Sequence, residues 1–142
     1  MDVLIDTHVL LWYYLDDPQL SATARTLLDD PAYRIFVSPA SYWEIAIKIG
    51  IGKYTLTVPF SQFIQEAIHD TGFTILPIEP RHVEPLTTLD RHHGDPFDRL
   101  MIAQALVEGI PVVSADVAFD PTASPACGEC LSSPDARSAP LP

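Results

Sequence analysis

Basic residues are scarce in this chain. Its 142 residues include 8 Lys and Arg against 19 Asp and Glu, a formal net charge of −11. That balance excludes a protein that coats nucleic acid generically, because such binding displaces counterions with a basic footprint. It leaves open a local approach to a phosphate backbone through a metal, and it suits a basic protein partner. Cysteine is nearly absent: Cys127 and Cys130 stand alone as a CxxC pair. Structural zinc needs about four ligands, and no second Cys/His pair stands at a useful spacing. Pro125, Gly128 and Pro134 surround the pair where a thioredoxin-like motif would open a helix, so the two cysteines read as incidental. No apolar run approaches the roughly 20 residues that span a bilayer. The stretch Val3–Leu15 is interrupted by Asp6 and His8, and no positively charged leader precedes it. A soluble, cytoplasmic protein without membrane contact is expected.

Hydrophobic residues make up 47% of the chain, enough for one packed domain at this length. Short apolar runs at Val3–Asp6, Ile35–Ser38, Thr74–Ile78 and Pro111–Ala115 read as strands. Helical patterns separate them, which predicts βαβ units and a parallel sheet covered on both faces. A first helix follows Thr7 and stops at Asp16-Asp17-Pro18; Ser21 caps a second, and Pro39 opens a third that ends at Gly50 and Gly52. Phe60, Phe63, Ile64, Ala67 and Ile68 form an amphipathic stripe closed by Gly72. Pro85 disturbs any helix between Arg81 and Asp90. Asp95-Pro96 opens a long helix that Gly109 ends. From residue 121 to 142 the composition shifts to five prolines among small and polar residues. The expected organisation is a globular unit over 1–120 and a disordered tail over 121–142.

Four carboxylates draw attention. Asp6 ends the first strand and Asp116 follows the last, so a parallel sheet brings both to its carboxyl edge, where open α/β sheets bind ligands. Each also suits an ordinary turn or helix cap. Glu44 shares a polar stripe with Ser41 and Lys48 on an otherwise apolar helix, whose remainder is largely covered by Trp43, Ala46, Ile47 and Ile49; the helix is expected to be well buried and its stripe to face water or a site. A surface Glu44–Lys48 pair is the plain alternative. In Asp95-Pro96-Phe97-Asp98-Arg99, capping accounts for Asp95 but leaves Asp98 unexplained. His8 reads as structural. His92 and His93 are adjacent, so they point apart and make a poor zinc pair. A phosphotransfer domain would need a second carboxylate at position 8 or a phosphate-cradling glycine loop, and neither is present.

The strings Leu4-Ile5-Asp6-Thr7-His8-Val9-Leu10-Leu11-Trp12, Ser41-Tyr42-Trp43-Glu44-Ile45-Ala46-Ile47-Lys48, Asp95-Pro96-Phe97-Asp98-Arg99-Leu100-Met101-Ile102-Ala103-Gln104-Ala105 and Ser114-Ala115-Asp116 together resemble a PIN-domain protein. The resemblance is to the VapC-like ribonuclease toxins of type II toxin–antitoxin systems, and it runs from residue 2 to about residue 120.

The resemblance implies a three-layer α/β fold with a central parallel sheet of four to five strands flanked by helices. It implies a metal-dependent endoribonuclease whose acidic quartet is Asp6, Glu44, Asp98 and Asp116, holding Mg²⁺ or Mn²⁺. Thr7, Ser41, Asp95 and Ser114 would support that shell, and Lys48, Lys53 and Arg99 are candidates for holding the RNA backbone. It also implies a homodimer inhibited by a VapB-like antitoxin. Clustered carboxylates raise one another's proton affinity, and a hard cation with oxygen ligands relieves this. A catalytically silent module that only binds the antitoxin is the competing expectation. The family usually continues past residue 120 into a further strand, which the proline-rich segment here replaces.

Overall fold

A computed structural model describes residues 1–88 and 95–114. His92, His93, Asp116, Cys127, Cys130 and the 121–142 segment lie outside the described residues. Four parallel strands form one sheet in the order β3-β2-β1-β4. They are β1 (Asp2–Ile5), β2 (Arg34–Val37), β3 (Thr74–Ile75) and β4 (Val112–Val113). The register pairs Ile5 with Val37 and Val113, and Val37 with Ile75. β3 is shorter than the apolar run predicts, because Pro77 cannot donate to a ladder.

Alternation along the strands splits the core in two. Val3, Ile5, Ile35 and Val37 face a cluster built with Val9, Leu10, Leu27, Leu28, Ile45, Phe63 and Ile68. Leu4 and Val112 face the other way, onto Ala40, Met101, Ile102 and Ala105. The first cluster is roofed by α1 (Thr7–Leu15), α2 (Ala22–Asp29) and α4 (Phe60–Ile64), the second by α6 (Pro96–Glu108). This is a three-layer α/β arrangement. Among the described residues, no helix is long and apolar enough to cross a membrane.

Local chemistry sets the helix ends. Ser21 accepts from the Ala24 amide as the cap of α2, and Ser38 caps α3 (Pro39–Gly50) ahead of Pro39. Asp95 caps α6 with Pro96 at its first position, and Gly109 closes that helix at φ 67°, a conformation in which glycine has no Cβ penalty. Two segments depart from the expected pattern. The stripe from Phe60 starts as α4 but continues as a π-helical stretch over Gln65–His69, where the Asp70 amide reaches the Gln65 carbonyl at 2.8 Å. Pro85 does limit its neighbourhood: a short α5 (Pro80–Val83) gives way to a 3-10 turn at Glu84–Thr87.

The orientation of α3 decides between the two facings open to its polar stripe and corrects the expected burial of the rest. Its buried residues are Ala40, Ser41, Glu44 and Ile45, whereas Trp43 is 58% and Ile47 38% exposed. Ala46 is exposed as well. Ser41 and Glu44 of the polar stripe face inward rather than to water, and it is the apolar remainder, expected to be well buried, that reaches the surface.

Candidate active site

The strand order reverses direction at β1: β2 lies on one side and β4 on the other. Such a switch point opens a crevice at the carboxyl ends of its strands. Asp6 stands there, 7% exposed. Its amide donates to the Val113 carbonyl at 3.1 Å, which fixes it beside the end of β4. Its side chain accepts from the Val9 amide at 2.9 Å, so Asp6 is also the N-cap of α1. The plain reading and the functional one coincide in this residue, since a cap uses one carboxylate oxygen. Ser114 follows β4 at the same edge, 3% exposed. Its hydroxyl is buried with no hydrogen-bond partner among the described residues.

Glu44 enters from α3. It is 2% exposed, which excludes the surface Glu–Lys pair. The Thr7 hydroxyl donates to its Oε1 at 2.7 Å. Burial raises the Glu44 pKa; the Thr7 bond opposes the shift, the charges of Asp95 and Asp6 add to it, and Lys48 counters it. Three acids from three elements therefore share one electrostatic neighbourhood: Asp6 after β1, Glu44 in α3 and Asp95 before α6. Ser41, one turn before Glu44, donates to the Met101 sulfur at 3.2 Å. It ties α3 to α6 rather than reaching an acid.

The start of α6 is held against α3 by an edge-to-face pair, Trp43 and Phe97, with centroids 5.1 Å apart. Asp95 accepts from the amides of Phe97 at 2.8 Å and Asp98 at 3.4 Å. Asp98 is half-buried in the first turn, where the helix dipole favours a carboxylate. Lys48 is half-buried, Lys53 exposed and Arg99 half-buried. The Lys53 amide donates to the Lys48 carbonyl at 2.8 Å, so these two cations share the end of α3.

Asp116, the fourth predicted acid, lies outside the described residues. Among the described residues, no group of three or more His, Cys, Asp or Glu converges tightly enough to hold a metal ion. The donor set nonetheless fits a hard cation. It consists of carboxylate oxygens, and the like charges of Asp95 and Asp6 already press on Glu44. A cavity of about 550 Å³, lined by Met1, Asp29, Tyr33, Arg34 and Gly72 among others, opens at the opposite, amino edge of the sheet. It is separate from the acids.

Sequence reasoning missed two polar groups. Tyr54 carries a buried hydroxyl without a partner among the described residues. Fully buried Gln104 accepts from the Ser38 hydroxyl and donates to the Leu76 carbonyl at 3.1 Å, so it locks α6 to the ends of β2 and β3. A lone tyrosine in a loop gives no signal. A glutamine in the middle of an apolar helix does give one.

The fold and this edge define a class. The chain belongs to the PIN domain family, whose model matches residues 3–124. It is similar to Ribonuclease VapC22 of Mycobacterium tuberculosis. The two are 29% identical over 115 residues, which cover 80% of this chain and 86% of that protein.

Proposed function

We propose that this protein is a metal-dependent endoribonuclease, the toxin of a type II toxin–antitoxin pair. The observation that carries the reading is Glu44: a carboxylate 2% exposed, pressed by the charges of Asp95 and Asp6, at the switch-point edge of a PIN fold. A buried charge beside other acids is costly, and a catalytic cation is the further compensation such a site calls for. The similarity to a protein named as a ribonuclease supports the same chemistry.

In this reading Asp6, Glu44, Asp98 and Asp116 hold Mg²⁺ or Mn²⁺, with residues 1–120 as the nuclease domain and 121–142 as a tail. The bound cation supplies charge stabilisation at the attacking and leaving oxygens of a phosphodiester. Asp6 caps α1 through the Val9 amide and would contribute its carboxylate to the cation, and Thr7 orients Glu44. Asp95 holds the first turn of α6, so that Asp98 is presented from a fixed helix end. Ser114 supports the edge beside Asp116. Lys48, Lys53 and Arg99 hold the RNA backbone, a local basic feature in an acidic protein. The net charge of −11 suits a basic VapB-like antitoxin segment over the acids. The working form is a cytoplasmic homodimer.

A second reading, a silent PIN module that binds the antitoxin without cleaving, is favoured by one observation: the acids among the described residues do not converge into a metal-holding group. Purified protein incubated with structured RNAs and Mg²⁺ or Mn²⁺ decides between them. The nuclease reading expects internal cuts that leave 5′-phosphate and 3′-hydroxyl ends. It fails if no RNA is cut, or if Asp6→Asn and Asp98→Asn cut as well as wild type.

A further inference from the structure

Helices α3 and α6 each carry an acid of the site, and side-chain contacts join them in a regular series. The Ser38 hydroxyl, at the cap of α3, donates to Gln104 Oε1. Three residues on, the Ser41 hydroxyl donates to the Met101 sulfur at 3.2 Å. All four of these residues are fully buried. Steps of three forward on α3 thus match steps of three backward on α6, and residues three apart share a helix face. The next step brings Glu44 level with Asp98. The helices still touch there, because Trp43 and Phe97, the residues just before the two acids, meet edge to face at 5.1 Å.

Gln104 does more than close the first rung. Its Nε2 donates to the carbonyls of Leu76 at 3.1 Å and Pro77 at 3.4 Å, just past the end of β3. The Leu76 amide in turn donates to the Val37 carbonyl at 2.9 Å, so Gln104 is tied to the frame of the sheet. Ser38 accepts from the Ala40 amide at 3.1 Å while it donates to Gln104. One amide therefore references α6 to the cap of α3 and to the carboxyl edge together. Around it lie Ala40, Met101 and Ala105. Apolar packing is non-directional and does not by itself select one helix register over its neighbour. A satisfied buried polar network does.

We propose that Gln104 is a positioning residue of the acidic site: by fixing the register of α6 against α3 and the sheet, it sets the separation at which Glu44 and Asp98 meet a cation. The consequence for catalysis rests on the nuclease reading; the register does not.

The test uses the full chain carrying Gln104→Met, which keeps the length of the side chain and removes its donors and acceptor. Ile68→Val, a fully buried change in the other core cluster, is the control. Calorimetric titration with Mn²⁺ alone should show affinity lowered about tenfold or more in Gln104→Met, the scale for losing a group that supports a ligand. Ile68→Val should bind as wild type does. In RNA cleavage, Gln104→Met should lower kcat with KM unchanged. Gln104→Glu supplies a rescue: its protonated carboxyl can accept from Ser38 and donate to Leu76, whereas its carboxylate cannot donate. Its Mn²⁺ affinity relative to wild type should therefore recover toward acid pH, which lost packing would not produce. If Gln104→Met does not fold, this variant carries the test, and a ratio that is flat with pH overturns the inference. Wild-type affinity in folded Gln104→Met, or an equal loss in Ile68→Val, would overturn it and leave the nuclease reading standing. If Gln104→Met alone weakens Mn²⁺ binding but the wild type cuts no RNA, the inference holds and the nuclease reading falls. A wild type that binds no Mn²⁺ overturns both.

Discussion

The Thr7 hydroxyl donates to Glu44 Oε1 at 2.7 Å across 37 residues of sequence, with both side chains buried. This bond joins the first turn of α1 to the middle of α3 and is the most direct physical link between two of the motifs. Thr7→Val keeps the shape and removes the donor, so Glu44 is left buried with its charge less satisfied. Urea denaturation at neutral pH should show a loss of about 1–3 kcal/mol. Thr7→Ser should recover most of it. An unchanged midpoint in Thr7→Val would mean that the bond carries no stability.

Glu44 also makes a prediction about pH. Its pKa is raised in the folded state, chiefly by burial, from an ordinary value of 4.5. The folded state therefore holds this proton more tightly than the unfolded chain does. Its contribution to stability is complete below pH 4.5 and is lost as pH rises through the raised folded value. Glu44→Gln removes that penalty. The variant should melt above wild type at neutral pH, with the gap closing toward acid pH, while its RNA cleavage is abolished. Such a gain of stability with loss of activity is typical of strained functional sites. Thermal melts of both proteins across pH 4–8 check it, and a Glu44→Gln variant less stable than wild type at pH 7 would contradict it.

Asp6 combines two jobs that substitutions can separate. Asn retains an oxygen that can accept from the Val9 amide, whereas Ala does not. Asp6→Asn should therefore unfold close to wild type, and Asp6→Ala should lose about 1 kcal/mol. Both should lose cleavage, because neither offers a charged ligand. Equal destabilisation by the two would show that the cap contributes little.

Away from the acids, fully buried His82 accepts from the Glu79 amide at 3.0 Å through Nδ1 and faces Glu108 Oε1 at 3.2 Å through Nε2. With Nδ1 accepting, Nε2 carries the proton. The His82 and Arg81 contacts hold the Glu108 pKa below its ordinary 4.5. The stability from Glu108 is therefore present above pH 4.5 and lost as pH falls through the lowered folded value. His82→Ala should cost about 1–3 kcal/mol, from a lost hydrogen bond and a new cavity. Cleavage per folded molecule should be unchanged. Chemical denaturation followed by a cleavage assay below the transition checks both halves.

Helix starts and stops were legible in the sequence wherever a short-range rule governs them. Ser21, Asp95-Pro96 and Gly109 act within a few residues of themselves, and each behaves as its type requires. The facing of α3 was only half legible, because its polar stripe suits either water or a site and hydropathy does not choose between them. The fold buries Ser41 and Glu44 and leaves Trp43 and Ile47 at the surface. A buried acid opposes the general rule, and residues that break it are the ones a functional site uses. The π-helical stretch at Gln65–His69 escaped notice because its apolar spacing is also that of an α-helix. Tyr54 and His82 were invisible because the burial of the one and the Glu108 contact of the other come from tertiary packing. Asp6, Glu44 and Asp98 were singled out as candidates by combining strand ends and helix phase with the family resemblance, and no single one of these would have sufficed.

The central claim is that Asp6, Glu44, Asp98 and Asp116 act as one cation site that hydrolyses RNA. The most direct measurement is the cleavage rate of an end-labelled RNA as a function of Mg²⁺ or Mn²⁺ concentration, for wild type and the four single amides Asp6→Asn, Glu44→Gln, Asp98→Asn and Asp116→Asn. Circular dichroism should verify that each variant is folded. The account predicts saturable, metal-dependent cleavage by wild type that a chelator abolishes, and a fall of about 100-fold or more in each folded variant, since residues acting as a unit fail together. Cleavage that persists in excess chelator, or near-wild-type rates in Asp6→Asn and Asp98→Asn, would contradict it.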